Sequence, residues 1–483
     1  MIDRRQFYID GAWVDPAESR DLPVTDPSTE EEIAVISLGG QVDTDAAVRA
    51  ARAAFDDWAA RPMAERIGYL EALLEAYDAR AEEMAEAISL EMGAPLDLAR
   101  NSQQPAGTGH IQAAIKAARE FETVRPLGPH APTDRILMDP IGVVGMITPW
   151  NWPMNQVTLK VAYAAAVGCT MVLKPSEIAP LSSAIFADAV HAAGWPRGVF
   201  NMVQGDGAGV GTQLSVHPDI DMVSFTGSTR AGTAITKAAA DTLKRVSLEL
   251  GGKGANLIFA DADERAVKRG ARAVFMNSGQ SCNAPTRMLV ERSVYDDAVE
   301  IARQTAEETR VASGHEEGRH IGPVVSQQQW DKVQGLIQQG IDEGARLVAG
   351  GLGRPEGLNR GYYVRPTVFA DVSNDMTIAR EEIFGPVLSI LPFDSEEQAV
   401  EIANDTEYGL TNYVQSSDGA RRARLARRLR SGMVEMNGRS RAEGSPFGGY
   451  KASGNGREGG VWGLEEFCEV KAVSGWPEDI AAE

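Results

Sequence analysis

The spacing of hydrophobic residues changes near residue 141 of the chain. From Asp43 to Phe121, apolar residues recur every three or four positions, which predicts helices. Beyond Ile141, short apolar runs alternate with longer stretches of helical spacing. The predicted strands are 141–148, 169–174, 199–203, 222–226 and 246–250, and the predicted helices are 154–166, 181–193, 207–215 and 228–240. This alternation predicts a parallel sheet covered on both faces, with a ligand site at the carboxyl ends of its strands.

A second series of the same kind begins at Asn256. Its candidate strands are 256–260, 287–291, 346–349, 364–369, 387–391, 411–415 and 433–436. Three segments lie outside both series: short strands over 6–40, a proline-rich hairpin at 124–140, and an extended segment at 466–473 that we expect to pair outside its own domain. A chain of 483 residues is also long enough for two or more domains. We therefore predict two α/β domains and a small β structure.

Charge and composition exclude several classes of protein. The chain has 68 acidic and 47 basic residues, a net charge of −21, which disfavours binding to nucleic acid or to an anionic membrane. The basic stretch 421–430 has helical spacing, so we interpret it as a surface helix with a solvated basic face. The sequence has no signal-peptide pattern, no run of 18 apolar residues and only three cysteines. These features predict a cytoplasmic protein that does not enter a membrane.

Residues 249–282 are the stretch around which we expect the chemistry to be organised. Glu249 follows an apolar run, and Cys282 ends a Ser-Gly-Gln-Ser loop. A thiolate is intrinsically nucleophilic, which makes Cys282 a candidate nucleophile. Taken alone, a cysteine such as Cys282 is more often a small buried apolar residue, and a glutamate such as Glu249 more often a solvated carboxylate at a strand end. Cys169 and Cys468 have apolar neighbours typical of core or interface positions, and no cysteine or histidine spacing is typical of a metal site.

A candidate oxyanion donor follows the first strand of the parallel series, in the motif TPWNWP at 148–153. The amide of Asn151 is a suitable donor to an oxyanion that forms on a substrate carbonyl. The alternative is that Asn151 caps the helix that follows. Lys160, nine residues further on, is by itself only a packed or solvated helix lysine.

Two motifs at strand ends suit a nucleotide. KPSE places Lys174 and Glu177 where they can hydrogen-bond a ribose, and the carboxylate would repel an additional 2′-phosphate, which favours NAD over NADP. FTGSTRAG at 225–232 predicts a helix start whose N–H groups, with Ser228, can receive a pyrophosphate. The nearby GDGAGVG at 205–211 does not match the dinucleotide fingerprint and indicates only a turn and a helix start.

A third candidate pair lies in EEIFGP at 381–386. Glu382 and Phe384 could hold a ribose and a flat ring. They could equally be a charge at a helix end and a core aromatic.

Taken together, these motifs resemble those of the aldehyde dehydrogenase superfamily, in the same order over nearly the whole chain. The motifs are TPWNWP, KPSE, FTGS, ELGGK, NSGQSC, EIFGP and PFGGYKASG. The resemblance implies a Rossmann-type nucleotide-binding domain, a related α/β catalytic domain and a small β oligomerisation arm. The expected bounds are 1–122 with 142–252 for the NAD-binding domain, 253–445 for the catalytic domain, 446–462 for a return to the first domain, and 123–141 with 463–483 for the arm.

The resemblance also implies roles for individual residues, motif by motif. Cys282 would be the nucleophile, Asn151 with the Cys282 N–H would form the oxyanion hole, and Glu249 would be the general base, with Lys160 near them. The expected cofactor contacts are Thr148, Trp150, Lys174, Ser176, Glu177, Gly207, Phe225, Gly227, Ser228, Leu250, Glu382 and Phe384. In this set, Glu382 would bind the nicotinamide-side ribose and Phe384 would lie beside the nicotinamide.

The implied reaction is oxidation of an aldehyde to a carboxylic acid with NAD+, through a thiohemiacetal and a thioester on Cys282. Relatives that pass the acyl group to coenzyme A lack the base, so Glu249 favours hydrolysis over this alternative. A second alternative is a non-catalytic structural protein with the same fold, which the intact Cys282, Glu249 and Asn151 disfavour. The resemblance further implies a homodimer or homotetramer.

The loop between Asn437 and Pro446 departs from the family pattern. It places arginines where bulky apolar residues often line the substrate entrance. The residues expected around the substrate are Trp152, Gln156, Ser281, Asn283, Arg439, Arg441 and Phe447. Our hypothesis is that Arg439 or Arg441 binds the carboxylate of an anionic aldehyde, such as a short semialdehyde. The alternative is that both arginines face solvent or a subunit interface.

Overall fold

The computed structural model describes residues 1–477, so the end of the predicted arm, 478–483, lies outside the described residues. The strands are β1 Ile2–Asp3, β2 Phe7–Ile9, β3 Ala12–Val14, β4 Asp21–Asp26, β5 Glu31–Ser37, β6 Val124–Pro126, β7 Arg135–Pro140, β8 Val143–Ile147, β9 Thr170–Lys174, β10 Phe200–Met202, β11 Met222–Thr226, β12 Arg245–Glu249, β13 Ala255–Ile258, β14 Arg287–Glu291, β15 Arg346–Ala349, β16 Thr367–Ala370, β17 Val387–Phe393, β18 Thr411–Gln415, β19 Met433–Met436 and β20 Cys468–Val473. The α-helices are α1 Gln41–Ala60, α2 Met63–Asp78, α3 Ala81–Met92, α4 Leu96–Leu98, α5 Gln104–Arg119, α6 Pro153–Val167, α7 Leu181–Ala192, α8 Thr212–Val216, α9 Thr229–Ala239, α10 Ala266–Phe275, α11 Tyr295–Glu308, α12 Gln327–Asp342, α13 Thr377–Arg380, α14 Glu396–Asn404, α15 Gly419–Arg428 and α16 Gly460–Glu466.

The first seven-stranded sheet has the order β12-β11-β8-β9-β10-β2-β3. Its strands from β8 to β12 are parallel to their neighbours, and the N-terminal hairpin β2–β3 adds an antiparallel edge through β10. Both β8 and β9 are buried along their whole length, as their continuous apolar runs require. Helix α6, between them, is buried on every side and forms the centre of this half of the molecule.

The second seven-stranded sheet has the order β15-β16-β17-β14-β13-β18-β19. All its pairs are parallel except β15–β16. The predicted α/β fold with two series of parallel strands is therefore confirmed. The candidate strand at 364–369 begins only at Thr367, because Pro366 cannot donate to a neighbouring strand.

Two small sheets complete the structure. One has the order β1-β5-β4, and the other has the order β20-β7-β6. In the second, the proline-rich hairpin is formed by β6 and β7, and Cys468 to Val473 pair antiparallel with Pro140 to Arg135. The segment at 466–473 thus pairs far from its own sequence neighbours, as predicted.

The basic helix α15 differs in part from its prediction. Arg421 stacks over Phe259, with 4.4 Å from its guanidinium carbon to the ring centre, and pairs with Asp261 at 2.9 Å. Arg424 pairs with Glu396 at 2.9 Å. The expected solvated basic face is therefore partly neutralised by acids from the second sheet's connections.

Strand register decides which side chains meet at the carboxyl edge of the first sheet. Ile147 at the end of β8 is paired with Lys174 at the end of β9, and Thr226 in β11 is paired with Glu249 in β12. Because all four strands end at one edge, the residues that follow them line one surface.

Candidate active site

A cavity of about 220 Å³ lies at this carboxyl edge, against the loop that carries Cys282. It brings together the three residues predicted for catalysis, Cys282, Glu249 and Asn151. It is also lined by seven other residues expected from the sequence: Trp150, Gln156, Gly227, Ser228, Leu250, Glu382 and Phe384. Residues from both large sheets thus converge on one space, the usual setting of a ligand site in α/β proteins.

The loop before Cys282 has an unusual backbone. Asn277, Ser278 and Gly279 have φ values of 52°, 56° and 76°, in the left-handed region. Side chains with β-carbons are costly there, so surrounding contacts must hold them. The Asn277 amide donates to the Asn151 carbonyl at 2.9 Å, and the Ser278 hydroxyl donates to the Gly322 carbonyl at 2.7 Å. The loop is therefore held rigidly.

Gln280 attaches the same loop to the segment that precedes α12. Its side chain is fully buried, and its Oε1 accepts from the Val325 N–H at 2.9 Å. Its carbonyl accepts from the Asn151 amide at 3.1 Å. Cys282, two residues on, is half-buried and faces the cavity. The thiol is thus presented to the cavity by a preorganised loop.

The surroundings of Cys282 favour the neutral thiol over the thiolate. Burial raises its pKa to about 12, and the Glu382 and Glu249 carboxylates raise it further. The positive charge of Arg441 and the residue's own backbone N–H act in the opposite direction. An electropositive ligand that enters the cavity would lower this pKa by the same Coulombic effect.

Asn151 is buried just before α6. Trp152, not Asn151, is the N-cap residue of α6, and its side chain makes no cap hydrogen bond. The amide of Asn151 instead donates to the Gln280 carbonyl, in the loop 277–282 that leads to Cys282. The helix-capping alternative does not describe this side chain.

Glu249 ends β12 with only 2% of its surface exposed, and neither carboxylate oxygen accepts a hydrogen bond among the described residues. Burial, and next the nearby Glu458 carboxylate, raise its pKa well above the usual value. The solvated strand-end alternative is therefore wrong. A buried carboxyl group without partners is costly, so its retention points to a chemical use.

Lys160 and Glu458 form a buried ion pair beside Glu249. The Lys160 Nζ lies 2.6 Å from Glu458 Oε1 and 3.1 Å from the Ser224 hydroxyl. The Lys160 side chain is 1% exposed, so it is neither solvated nor simply packed against apolar groups. One buried ammonium thus stands next to two buried carboxyl groups.

The residues of the KPSE motif lie at the end of β9. Lys174 Nζ pairs with Glu177 Oε2 at 2.9 Å, and Lys174 is buried whereas Glu177 is half-exposed. The Ser176 hydroxyl accepts from the Ile178 N–H at 3.3 Å. Thr148 is buried, and its N–H donates to the Lys174 carbonyl at 3.1 Å.

Two further candidates lie at helix starts on the same edge. Ser228 is the N-cap of α9 and accepts from the Ala231 N–H at 3.3 Å. Gly207 begins a short π-helical turn, Gly207–Gly211, that leads into α8 and is capped by Asp206. Phe225 is buried at the end of β11, and its ring would lie 2.4 Å from a β-carbon placed on Gly227. Glycine at 227 therefore lets the chain pass over this ring.

Glu382 and Phe384 reach the cavity from the loop before β17. Glu382 Oε1 accepts from the Gly252 N–H at 2.8 Å. Phe384 has a φ of 59°, and its ring meets the Trp150 ring edge-on, with 5.4 Å between ring centres. The Gln329 amide holds this loop by donating to the Phe384 carbonyl at 2.8 Å. Neither residue is a helix-end charge or a core aromatic.

Several residues that the sequence predicts to contact the substrate lie in or beside the loop 277–282. The Trp152 indole N–H donates to the Ser281 hydroxyl at 2.8 Å, and the Tyr413 hydroxyl donates to the Asn283 carbonyl. Gln156 lines the cavity, and its Oε1 is buried without a hydrogen-bond partner among the described residues.

The two loop arginines have different surroundings. Arg439 is exposed, and neither arginine lines the cavity. Arg441 is half-buried: its guanidinium carbon lies 4.5 Å from the centre of the Phe447 ring, and its Nε lies 3.3 Å from Glu435 Oε1. The charge of Arg441 already has a carboxylate partner.

The sequence alone did not point to four residues near the cavity. Gln329 and Lys332 line it from the first turns of α12, and Glu458 and Lys253 are buried behind it. Gln329 and Lys332 have the i, i+3 spacing that places two polar side chains on one helix face, but this spacing is only a weak indication of a binding site. Glu458 and Lys253 carry no local signal, because their significance comes from burial.

The parallel sheets and the cavity at their carboxyl edge are the architecture of an α/β enzyme with a nucleotide site. The model of the Aldehyde dehydrogenase family matches residues 13–473. This chain therefore belongs to the aldehyde dehydrogenase family, as the sequence motifs predicted.

Individual relatives agree with this assignment. The chain is 52% identical to 3-succinoylsemialdehyde-pyridine dehydrogenase from a Pseudomonas species, over 99% of both chains. A solved aldehyde dehydrogenase from Bartonella henselae is 60% identical, with a TM-score of 0.98 over 99% of this chain and 100% of that one. A cysteine-to-alanine mutant of aldehyde dehydrogenase C from Pseudomonas syringae, solved with NAD+ and octanal, is 47% identical, with a TM-score of 0.96 over 99% and 98% of the chains.

Metal sites and membrane spans were considered only for residues 1–477, the described part of the chain, and neither is present there. No group of three or more histidine, cysteine, aspartate or glutamate side chains there could hold a metal ion. None of the helices in the same range is both long and apolar enough to cross a membrane.

Proposed function

We propose that this protein oxidises an aldehyde to a carboxylic acid with NAD+ and that Cys282, Asn151 and Glu249 carry the reaction. The class of activity, NAD-dependent aldehyde oxidation, is confirmed by the family and by relatives solved with NAD+. The observation that supports these roles is the meeting of a half-buried thiol, a buried amide and an unpartnered carboxyl group at one cavity.

The residues present fit a dinucleotide. Ser228 and the first N–H groups of α9 suit a pyrophosphate, the Lys174–Glu177 pair suits the adenine-side ribose, and the Glu382 carboxylate suits the other ribose. The half-exposed Glu177 would repel a 2′-phosphate, which supports NAD over NADP. When bound, NAD+ supplies a hydride acceptor.

Cys282 and Asn151 carry the first half of the reaction. The Cys282 thiol loses its proton to water and adds to the aldehyde carbon, whose oxygen becomes an oxyanion. The Asn151 amide and the Cys282 N–H donate to that oxyanion; the loss of one such donor costs about 2.7–4 kcal/mol in comparable sites. With the hydride passed to the acceptor that bound NAD+ would supply, the carbonyl re-forms and leaves a thioester on Cys282.

Glu249 carries the second half. Burial and the Glu458 carboxylate favour the neutral form of Glu249, and the Lys160 ammonium and the Arg457 guanidinium oppose them and so support the ionised form that a base needs. The Glu249 carboxylate takes a proton from water as the water oxygen attacks the thioester; the C–S bond then breaks, the acid leaves, and the departing Cys282 sulfur takes the proton back from Glu249.

The test is NADH formation measured at 340 nm, with and without coenzyme A. We expect turnover without coenzyme A, release of the free acid, and loss of at least a thousandfold in kcat for Cys282→Ala. Cys169→Ala, which removes a buried thiol far from the cavity, is the matched control. Dependence on coenzyme A would instead assign the acyl-transferring alternative, and full activity of Cys282→Ala would refute the thiol mechanism.

For the substrate, we propose a neutral aromatic semialdehyde. The relative at 52% identity is named for a pyridine-bearing semialdehyde. Arg441 supports a neutral rather than an anionic substrate, because Glu435 already pairs with it and Phe447 covers one face of its guanidinium. The earlier hypothesis that Arg439 or Arg441 binds a carboxylate has less support, since Arg439 is exposed.

The kcat/KM for succinic semialdehyde and for a neutral aryl semialdehyde distinguishes an anionic from a neutral substrate. We expect the higher kcat/KM for the aryl substrate and only a small change for Arg439→Ala. A marked preference for succinic semialdehyde that disappears in Arg441→Ala would restore the anion-site hypothesis.

We further propose a cytoplasmic homo-oligomer that uses the sheet β20-β7-β6 as its arm, with the domain bounds expected from the sequence. The three cysteines are free, as in a reducing compartment. Val470 in the edge strand β20 is 68% exposed, and such an edge favours pairing with another chain. Light scattering of Val470→Lys tests this: the molar mass should fall, and an unchanged mass would argue against the arm.

A further inference from the structure

Gln103 is a buried glutamine that the reaction described above does not use. It ends the π-helical turn Ala99–Gln103 that leads into α5, and it is 1% exposed. Its Nε2 donates to Asn277 Oδ1 at 3.0 Å and lies 3.3 Å from Met92 Sδ, whereas its Oε1 accepts no hydrogen bond from the described residues. A buried amide oxygen without a donor is costly, and π-helical turns are frequent at functional sites. Packing alone therefore does not explain the presence of Gln103.

The hydrogen bonds of Asn277 fix the direction of its amide. Its Nδ2 donates to the Asn151 carbonyl at 2.9 Å and to the Gln280 carbonyl at 3.2 Å. Carbonyl oxygens only accept hydrogen bonds, so Asn277 Oδ1 must point the other way, toward Gln103, where it needs a donor. Among the described residues, Gln103 is the only donor to this oxygen. The side chain at position 103 must therefore present an N–H to Asn277.

The same hydrogen bonds reach the proposed oxyanion donor. The Asn151 carbonyl accepts from Asn277, and the Asn151 amide donates to the Gln280 carbonyl at 3.1 Å. The Gln280 Nε2 in turn donates to the Asn277 carbonyl at 3.1 Å. Asn277 has a φ of 52°, a conformation that persists only where neighbouring contacts hold it. These three residues thus form a closed set of hydrogen bonds, and Gln103 ties that set to the start of α5.

We propose that Gln103 is a positioning residue for Asn151 and that it acts through Asn277. Its N–H holds the Asn277 amide in the direction that fixes the Asn151 carbonyl, and the Asn151 amide is thereby kept where it can donate to the oxyanion. This inference rests on the proposed role of Asn151 as the oxyanion donor. A displacement of such a group by about 1 Å can cost about a hundredfold in rate.

The experiment is single-turnover NADH formation, with the full chain and NAD+ in excess over the faster of the two aldehydes compared above. Gln103→Met keeps the volume and removes the N–H. Gln104→Met is the matched control, because the neighbouring buried Gln104 donates to Thr108 and not to the loop 277–282. We expect a rate about thirtyfold lower for Gln103→Met, and a rate within about twofold of the unmodified protein for Gln104→Met. An unchanged rate in folded Gln103→Met overturns the proposal.

Alkylation of Cys282 by iodoacetamide separates the positioning of Asn151 from a general loss of order in the loop. No oxyanion forms when the sulfur displaces iodide, so Gln103→Met should be alkylated at a rate within about threefold of the unmodified protein. Equal losses in alkylation and in NADH formation would show that Gln103 serves only the fold of the loop, which overturns its positioning role.

Asn151→Ala separates the two possible failures. If Asn151→Ala forms NADH as fast as the unmodified protein, the proposed role of Asn151 is wrong and this inference falls with it. If Asn151→Ala is slow and Gln103→Met is not, only the role of Gln103 is overturned. The double variant should be no slower than Asn151→Ala, because Gln103 acts through Asn151. A further loss as large as that of Gln103→Met alone would show an independent effect and contradict the proposal.

Gln103→Glu decides the matter should Gln103→Met fail to fold. A protonated carboxyl group can donate to Asn277 Oδ1, whereas a carboxylate cannot. Met92 and Asn277, which contact this position, do not titrate. The single-turnover rate of Gln103→Glu, divided by that of the unmodified protein, should therefore fall as pH rises from about 6 to about 9. A constant ratio over this range overturns the proposal.

Discussion

Glu91 and Glu249 are both buried carboxyl groups, but they differ in their hydrogen-bond partners. Glu91 in α3 and Glu249 at the end of β12 are 0% and 2% exposed, and burial raises the pKa of both. Glu91 accepts from the N–H groups of Leu181 and Ser182 and from the Ser182 hydroxyl, all at the start of α7. Glu249 accepts no hydrogen bond from the described residues.

The two carboxyl groups differ in hydrogen bonding and not in burial. Glu91 satisfies the free N–H groups at a helix start, where a negative charge is also favoured by the helix dipole. Glu249 has no such partners among the described residues, although it lines the cavity. We therefore expect Glu91 to serve the fold and Glu249, in the function proposed above, to serve the reaction.

The largest effect is expected from a substitution of Glu249, the carboxyl group that accepts no hydrogen bond from the described residues. Glu249→Gln should lower steady-state kcat by about a hundredfold to ten-thousandfold, the usual contribution of a general base. The temperature of unfolding should not fall, because no hydrogen bond is lost. Rapid mixing should still show one NADH per site before the slow phase. Unchanged turnover, or a strong loss of stability, would place Glu249 with Glu91 as a structural acid.

The ion pair beside Glu249 gives the next largest effect. Lys160→Met leaves the Glu458 carboxylate buried and unpaired, which should reduce the free energy of unfolding by about 3–5 kcal/mol. Denaturant unfolding measures this loss. The double variant Lys160→Met with Glu458→Gln should recover most of the stability but not the activity. Recovery of both would show that the pair serves only the fold.

The smallest effect concerns Glu91 and pH. Its pKa is raised to about 7 from an unfolded value of 4.5, mainly by burial. Its contribution to stability is therefore full below pH 4.5 and is lost as pH rises through 7, by about 3 kcal/mol in total. Glu91→Gln cannot titrate, so its unfolding free energy should vary less between pH 4.5 and 8. An identical pH dependence in both proteins would contradict this account.

The sequence by itself determined the order of strands and helices, the family and the neighbourhood of the main chemical groups. Each rests on a local signal: buried parallel strands need continuous apolar runs, and tight turns need glycine. The loop that presents Cys282 and the helix start at Ser228 were predictable because their chemistry lies within a few adjacent residues.

Only the tertiary structure decided the electrostatics of the site. Lys160 and Glu458 are 298 residues apart and pair because α6 packs against the segment that precedes α16. Tertiary packing also leaves Glu249 without hydrogen-bond partners among the described residues and pairs Arg441, a candidate anion site, with Glu435. Charge effects depend on distance and burial, and a linear sequence records neither for residues so far apart.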